Sequence, residues 1–402
     1  MSSPRWDIGR RRQLAGPQTP LSPVIPDQEN VIATHIVTHR PTPILAIPSM
    51  VLSAVGPVVS VYLTTAGAVP EASALVALRW RNMRRSLSQE GAAEVTLAAV
   101  DSAVADSYLS GETLAAIANH SGLLYVAHLP GAADIEHAVV SPVASLLPLL
   151  IATQPMLSHV LVITDRLGAE LFEVQPDRPD LIYQVEGDDL DITRSAPRGW
   201  SQHRFQQRAE NRWESNAGDV AHALTRLVDQ QKPRLVAVCG DVRAVQFLMQ
   251  QVPVRVADLI TVIDGDQSHP EEALIRSAAA AAVVADADTA AVIADFNDGR
   301  PHGLAVTGSE ATLSALSAGQ VGVLLLDPTR SERNRAWCGA EPTQVAASAE
   351  ALIAAGVADP QSAALADVAV RAALAADAQV RVVPAGSVEL APSGIGAVLR
   401  YR

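Results

Sequence analysis

Arg194-Ser-Ala-Pro-Arg-Gly-Trp-Ser-Gln-His-Arg-Phe-Gln-Gln-Arg-Ala-Glu-Asn-Arg-Trp213 is the stretch on which the reading of this chain turns. It holds five arginines (Arg194, Arg198, Arg204, Arg208, Arg212), Gln202, His203 and two tryptophans against a single acid, Glu210. Arg204, Arg208 and Arg212 recur every four residues, which places them on one face of a helix. Such a stripe can grip phosphates while the loop before it reaches forward. The plainer alternative is a solvated helix face held by i,i+4 contacts.

The island stands out because the rest of the chain is acidic. The 402 residues carry a net charge of −13, which argues against wrapping DNA or RNA over the whole surface. Any nucleic-acid contact has to use a local basic patch. Hydrophobic residues make up 49% and charged residues 18%, a composition of packed domains rather than disorder. Aromatics are only 3%, so the cores are built from Ala, Val, Leu and Ile. Lys232 is the only lysine. Cys239 and Cys338 are the only cysteines and form neither a CxxC nor a zinc pattern, which suits a reducing cytoplasm. Two apolar stretches, Ile44 to Ala66 and Ala138 to Thr164, are broken by prolines and read as strands and turns rather than membrane spans. Arg10, Arg11 and Arg12 precede no apolar run, so no secretory signal is expected there.

The pattern predicts three α/β (α+β) domains behind a proline-rich extension over residues 1–43. The first domain is expected over 44–150, with a strand at Val58 to Leu63, helices at Ala72 to Ser88 and Ala92 to Leu109, and a strand at Gly122 to His128. The second, 151–270, opens on strand Val160 to Thr164, a turn, and the alternating Ala169 to Val174. A polar loop, a helix over Gln202 to Asp229, strand Arg234 to Cys239 and helix Val242 to Gln251 follow. The third, 271–402, begins on an alanine-rich helix from Glu271 to about Asp295. It continues with helix Thr307 to Ala318 capped by Ser309, strand Val321 to Leu326, helix Ser362 to Ala376 and strand Val380 to Pro384.

Other chemistry finds little support. Gly199-Trp-Ser201 lacks the closing glycine of a hydrolase nucleophile elbow. There is no Walker A loop and no GxGxxG after a strand. His35 and His39 are four apart without a third ligand, so no metal is expected. Asp165 and Asp241 each end a buried strand, where nuclease carboxylates can pair around Mg²⁺, but turn capping is the better reading. Arg79, Arg81, Arg84 and Arg85 form a second basic cluster, open to an RNA contact or to a solvated helix end.

The stretch also carries a resemblance. Class-I release factors of archaea and eukaryotes have a Gly-Gly-Gln loop followed by Ser, an Arg-Phe and a basic helix. With Arg204-Phe205 set on that Arg-Phe, Ser201 falls on the serine and Gly199 on the second glycine. Trp200 then stands in the glutamine's place and Arg198 in that of the first glycine. Ser60-Val-Tyr-Leu63, Val162-Ile-Thr-Asp165, Leu224-Thr-Arg-Leu-Val-Asp229 and the closing Gly394-Ile-Gly-Ala-Val-Leu-Arg-Tyr401 keep the same order over about 350 residues. The chain resembles the bacterial branch of the release factor and Pelota superfamily, near the actinobacterial relatives of the hibernation factor Balon.

The resemblance implies a ribonuclease H-like middle domain with its loop in the peptidyl-transferase centre, an L7Ae-like C-terminal domain, and a first domain towards the decoding centre. It implies a cytoplasmic, non-catalytic factor of stress, without cofactor or metal, that blocks the ribosomal A site. The 70S ribosome, through 23S and 16S rRNA, is the partner so implied. Elongation factor Tu or the stalk proteins are further ones; DNA and membrane are not. Arg194, Arg198, Gly199, Trp200, Ser201, Gln202, His203, Arg204, Arg208 and Arg212 would touch rRNA, with Arg79, Arg81, Arg84 and Arg85 as the second contact. Peptidyl-tRNA hydrolysis or rescue through Gln202 is the alternative. Trp200 is bulky and Arg198 lacks glycine's freedom, so occlusion is favoured over hydrolysis.

Overall fold

A computed structural model describes residues 47–401 apart from 55, 66–71, 106–112, 130–135, 176–178 and 187–199. The proline-rich extension, with His35 and His39, lies outside the described residues. The fold is mixed α/β with several separate sheets.

The first unit runs α1 (Ser49–Leu52), β1 (Val58–Thr64), α2 (Ala72–Gln89), α3 (Glu94–Ala105), β2 (Thr113–Asn119), β3 (Gly122–Leu129), β4 (His137–Ser141) and α4 (Leu147–Thr153). Its strands form an antiparallel sheet in the order β3-β2-β1-β4. Strand β1 is buried along its whole length because both faces of the sheet are covered. Val59, Val61 and Leu63 meet Val76 and Trp80 of α2 and Leu97 and Val100 of α3. Tyr62 faces the other way, packs on Leu149 of α4 and donates its hydroxyl to the Ser145 carbonyl at 2.7 Å.

The middle unit holds β5 (His159–Thr164), β6 (Gly168–Val174), β7 (Pro179–Glu186), α5 (Trp200–Gln231), β8 (Val236–Gly240), α6 (Val242–Gln251), α7 (Val254–Ala257) and β9 (Ile260–Val262). The sheet order is β7-β6-β5-β8-β9, antiparallel on the β6 side and parallel from β5 to β9. The expected β5–β6 hairpin is present. Strand β7 replaces the polar loop expected after Val174. Its apolar content is short, and the edge of β6 supplies the ladder that stabilises it, a partner that local sequence does not reveal. Strand β5 divides its side chains between two layers. Val160 and Val162 meet Val220, Leu224 and Leu227 of α5, whereas Leu161 and Ile163 meet Ala273 and Leu274 on the opposite face. That two-sided burial explains why β5 and β8 read as unbroken apolar runs.

Ala273 and Leu274 belong to α8 (Pro270–Gly299), the long alanine-rich helix leading to the third unit. Among the described residues it is the one helix long and apolar enough to cross a membrane, by length and composition only. In the fold it packs on two sheets instead. The third unit continues with β10 (Ala305–Thr307), α9 (Ser309–Ser317), β11 (Val321–Leu326), α10 (Pro328–Ser331), β12 (Arg335–Cys338), β13 (Val345–Ala346), α11 (Ala349–Ala354), β14 (Gln361–Ala364), α12 (Leu365–Ala375), β15 (Gln379–Val382) and β16 (Ile395–Leu399). These strands make one sheet ordered β10-β16-β11-β15 and a small one ordered β13-β12-β14. Two local expectations change here. Helix α9 is capped by Gly308 at φ 95°, not by Ser309, because the chain turns sharply out of β10 and only glycine adopts that angle freely. Ser362 to Ala364 pair with β12 as strand, so α12 starts later, at Leu365.

The first and third units share a core. Val58, Val143, Leu146 and Leu147 lie in one cluster with Leu324, Leu326, Leu365, Val368 and Ala369. Helix α12 supplies the polar ties. Arg371, 1% exposed, donates to the carbonyls of Leu52 at 2.7 Å, Gly339 at 3.2 Å and Ala340 at 2.6 Å. Asp367 accepts the Leu146 N–H at 3.1 Å, at the start of α4, where no local side chain caps the helix. Gln154, just past the end of α4, exchanges both amide bonds with Val382 at 2.7 Å and so covers the edge of β15.

Candidate nucleic-acid interface

Helix α5 decides where the basic stretch lies. Among the described residues it spans Trp200–Gln231 with no proline to interrupt it, 32 residues or about 48 Å. Gln202 and His203 have helical backbone as expected, and so do Trp200 and Ser201, which were expected in the loop before the helix. Arg204, Arg208 and Arg212 occupy successive turns of the same helix, as their spacing predicts. The side chains of residues 200–212 lie outside the described ones, as do Arg194, Arg198 and Gly199 altogether.

From Trp213 on, side-chain contacts fix the helix to the sheet. The guanidinium of Arg166, in the β5–β6 turn, sits over the Trp213 ring at 4.7 Å from its centroid. It also pairs with Asp241 at 3.0 Å. The Asn216 amide donates to the carbonyls of Arg166 at 3.1 Å and Leu167 at 3.4 Å. Beyond this clamp the helix turns apolar towards the sheet, with Val220, Ala221, Leu224 and Leu227 buried. The arginine stripe is thus the part of α5 that precedes its docked half.

Asp165 and Asp241 are used as caps. The Asp165 carboxylate accepts the N–H groups of Leu167 at 2.7 Å and Gly168 at 2.8 Å, closing the turn. Asp241 accepts the N–H groups of Arg243 and Ala244 at the start of α6. The hydrogen bond from Arg166, helped by those backbone donors, holds its carboxyl below the usual range. Gly240, before it, lies at φ 128°, and a Cβ there would meet the Thr164 carbonyl oxygen at 1.7 Å. Among the described residues no group of three or more His, Cys, Asp or Glu side chains could hold a metal. Burial pushes the Cys239 thiol up to about 11, far from a nucleophile's range.

The four arginines of α2 part company. Arg84 is held by Asp101 at 3.0 Å and by Glu94, and the Trp80 indole shares Asp101 at 2.7 Å. Arg79 reaches the Thr64 carbonyl at 3.3 Å and Glu136 at 3.6 Å. Arg81 and Arg85 are exposed and make no ion pair among the described residues. Two of the four are therefore engaged in tying α2 to its own unit. Arg166 escaped the sequence reading. It sits in a turn-like Asp-Arg-Leu-Gly, and only the register of β5 against β8 brings it to Asp241 and Trp213.

Comparison with known proteins places the region. Residues 158–302 match the model of bacterial archaeo-eukaryotic release factor family 2. Two uncharacterized proteins of Mycobacterium tuberculosis, MT2704 of strain CDC 1551 and Rv2629 of strain H37Rv, are each 27% identical over 284 residues, 68% of this chain and 76% of theirs. Of solved structures, archaeal translation termination factor aRF1 aligns at 14% identity over 87% of this chain and 94% of that one, with a TM-score of 0.24. Pelota of Archaeoglobus fulgidus aligns at 14% identity over 72% of this chain and 80% of that one, with a TM-score of 0.35. At TM-scores this low the superpositions carry no argument. The family match covers the middle sheet, α5 and α8, the elements that set the direction of the arginine stripe. In that region, residues 158–302, the chain is similar to the bacterial archaeo-eukaryotic release factors of family 2.

Proposed function

We propose that this protein is a cytoplasmic ribosome-binding factor that occupies a vacant or stalled A site and blocks it without hydrolysing peptidyl-tRNA. The observation that carries the reading is Trp200. It stands in the place of the release-factor glutamine and already has helical backbone, so that position offers neither a glutamine nor an open loop backbone. Arg204, Arg208 and Arg212 anchor the helix on rRNA phosphates in this reading, and Trp200 stacks on a base. The rest of the chain, which is net −13 even with the basic stretch included, keeps other surfaces off RNA. Preservation of idle ribosomes under stress is the role that suits a blocking factor. Elongation factor Tu or stalk proteins would then meet the third unit.

Purified 70S ribosomes carrying peptidyl-tRNA in the P site provide the test. The protein is expected to co-sediment with them, to inhibit translation and to release no peptide. Release that disappears in Gln202→Ala would overturn the blocking mechanism in favour of a hydrolase. Failure to co-sediment at low salt would remove the ribosome from the proposal altogether.

A further inference from the structure

Helix α8 joins the middle unit to the third, and one carboxylate sits between its two contact zones. Ahead of it, Ala273, Leu274 and Ala281 pack under the middle unit, against Leu161, Ala237, Leu157 and Leu235. After it, Phe296 packs on the third sheet with Leu325 and Val383. The carboxylate is Asp288, with a side chain 10% exposed. Arg234, in the segment before β8, holds it through both Nη atoms. Arg381, on β15 of the third sheet, forms a second, looser ion pair with it at 3.9 Å.

The pairing is opposite to what electrostatics alone would choose. The Arg234 side chain is 29% exposed and could be hydrated without the carboxylate. The Arg381 side chain is 7% exposed, yet its guanidinium makes no hydrogen bond among the described residues, and its Nε is buried without a partner. A buried cation left short of acceptors is costly, more so than an exposed one. Burial lowers the pKa of Arg381; Asp288 opposes that shift and Arg234 adds to it. Asp288 thus lies closer to the arginine that needs it less.

We propose that Asp288 is a two-position ion-pair switch, passing from Arg234 to Arg381 when the middle unit shifts relative to the third sheet along α8. The exchange tightens the looser pair as the closer one opens, so it costs far less than breaking a pair with nothing to replace it. It releases the arginine that water can serve and satisfies the one that water cannot. The device is independent of any ribosome role, because it is set by contacts within this chain.

Pulsed-EPR distances between nitroxides on Gln250→Cys of α6 and Ala354→Cys of α11 test it in the full chain. Both added positions are exposed, and both native cysteines are buried from the label. Arg234→Met is expected to add a second distance population while thermal stability stays near the parent's, since Arg381 takes up the carboxylate. Arg381→Met is expected to keep the parent's single distance and lose no stability. The double variant strands Asp288 and should lose several degrees of Tm more than the two single changes together. An unchanged distance distribution in Arg234→Met would overturn the proposal. So would additive stabilities in the double variant, or a larger loss in Arg381→Met than in Arg234→Met.

Discussion

The Arg166 clamp shows how much a single turn residue can determine. Its guanidinium serves Trp213 and Asp241 at once, so it ties the last turn before the docked half of α5 to the start of α6. Trp213→Ala removes the ring and should cost ~0.5–1 kcal/mol, as expected for a half-exposed cation–π contact. Urea denaturation would read this as a lower midpoint with an unchanged slope; an unmoved midpoint would mean the stacking contributes nothing. Gly240 should tolerate far less. A side chain there meets the Thr164 carbonyl and a backbone angle that only glycine adopts readily, so Gly240→Ala is expected to abolish soluble, folded protein. Circular dichroism of any soluble fraction would settle it. Asp165 and Asp241 were legible as caps because each follows a strand and precedes a turn or helix. The Arg166 pairing was not, because its partners are 47 and 75 residues away.

At the level of elements, α5 and α12 carry the consequences. If the stripe on α5 grips phosphates, Arg204→Gln, Arg208→Gln and Arg212→Gln together should weaken co-sedimentation with ribosomes. They should also flatten its dependence on log salt by about one unit for each phosphate no longer neutralised. A steepness equal to the parent's would assign those residues to a solvated face. On α12, burial pushes the Asp367 carboxyl up to about 7, against the pull of the Leu146, Ser145 and Leu147 donors, and Glu332 adds to the rise. The unfolded chain releases this proton near 3.8, whereas the folded chain keeps it until about 7. Between those values the native state binds more protons, so stability falls as pH rises, by up to ~1.4 kcal/mol per pH unit. Above about 7 the contribution is flat. Asp367→Asn keeps an acceptor for the Leu146 N–H and removes the proton. Its Tm should therefore gain on the parent's from pH 5 to pH 8, and parallel Tm curves would exclude the carboxyl as the source. The helix positions themselves were legible from apolar periodicity. The source of capping was not: α4 is capped from α12, 221 residues away.

In the whole molecule, the first and third units share one core while the middle unit is inserted between them in the chain. Arg371 ties α1 and residues 339–340 to α12 through charged hydrogen bonds to their carbonyls. Arg371→Met should cost on the order of 3–5 kcal/mol. Hydrogen exchange should show protection falling around 47–53 and around 339–346 together; a fall confined to the third unit would contradict the shared core. The sequence by itself determined most strands and helices, the acidic background, the basic stretch and the residue at its tip. Each depends on neighbours a few positions apart or, for Trp200, on residue identity alone. Only the tertiary structure decided that β7 is a strand, that Trp200 is already helical, that two of the α2 arginines are already paired, and that one core serves both ends of the chain. Each of those outcomes depends on which distant group satisfies a ladder, a helix end or a buried charge, and no local pattern encodes that partner.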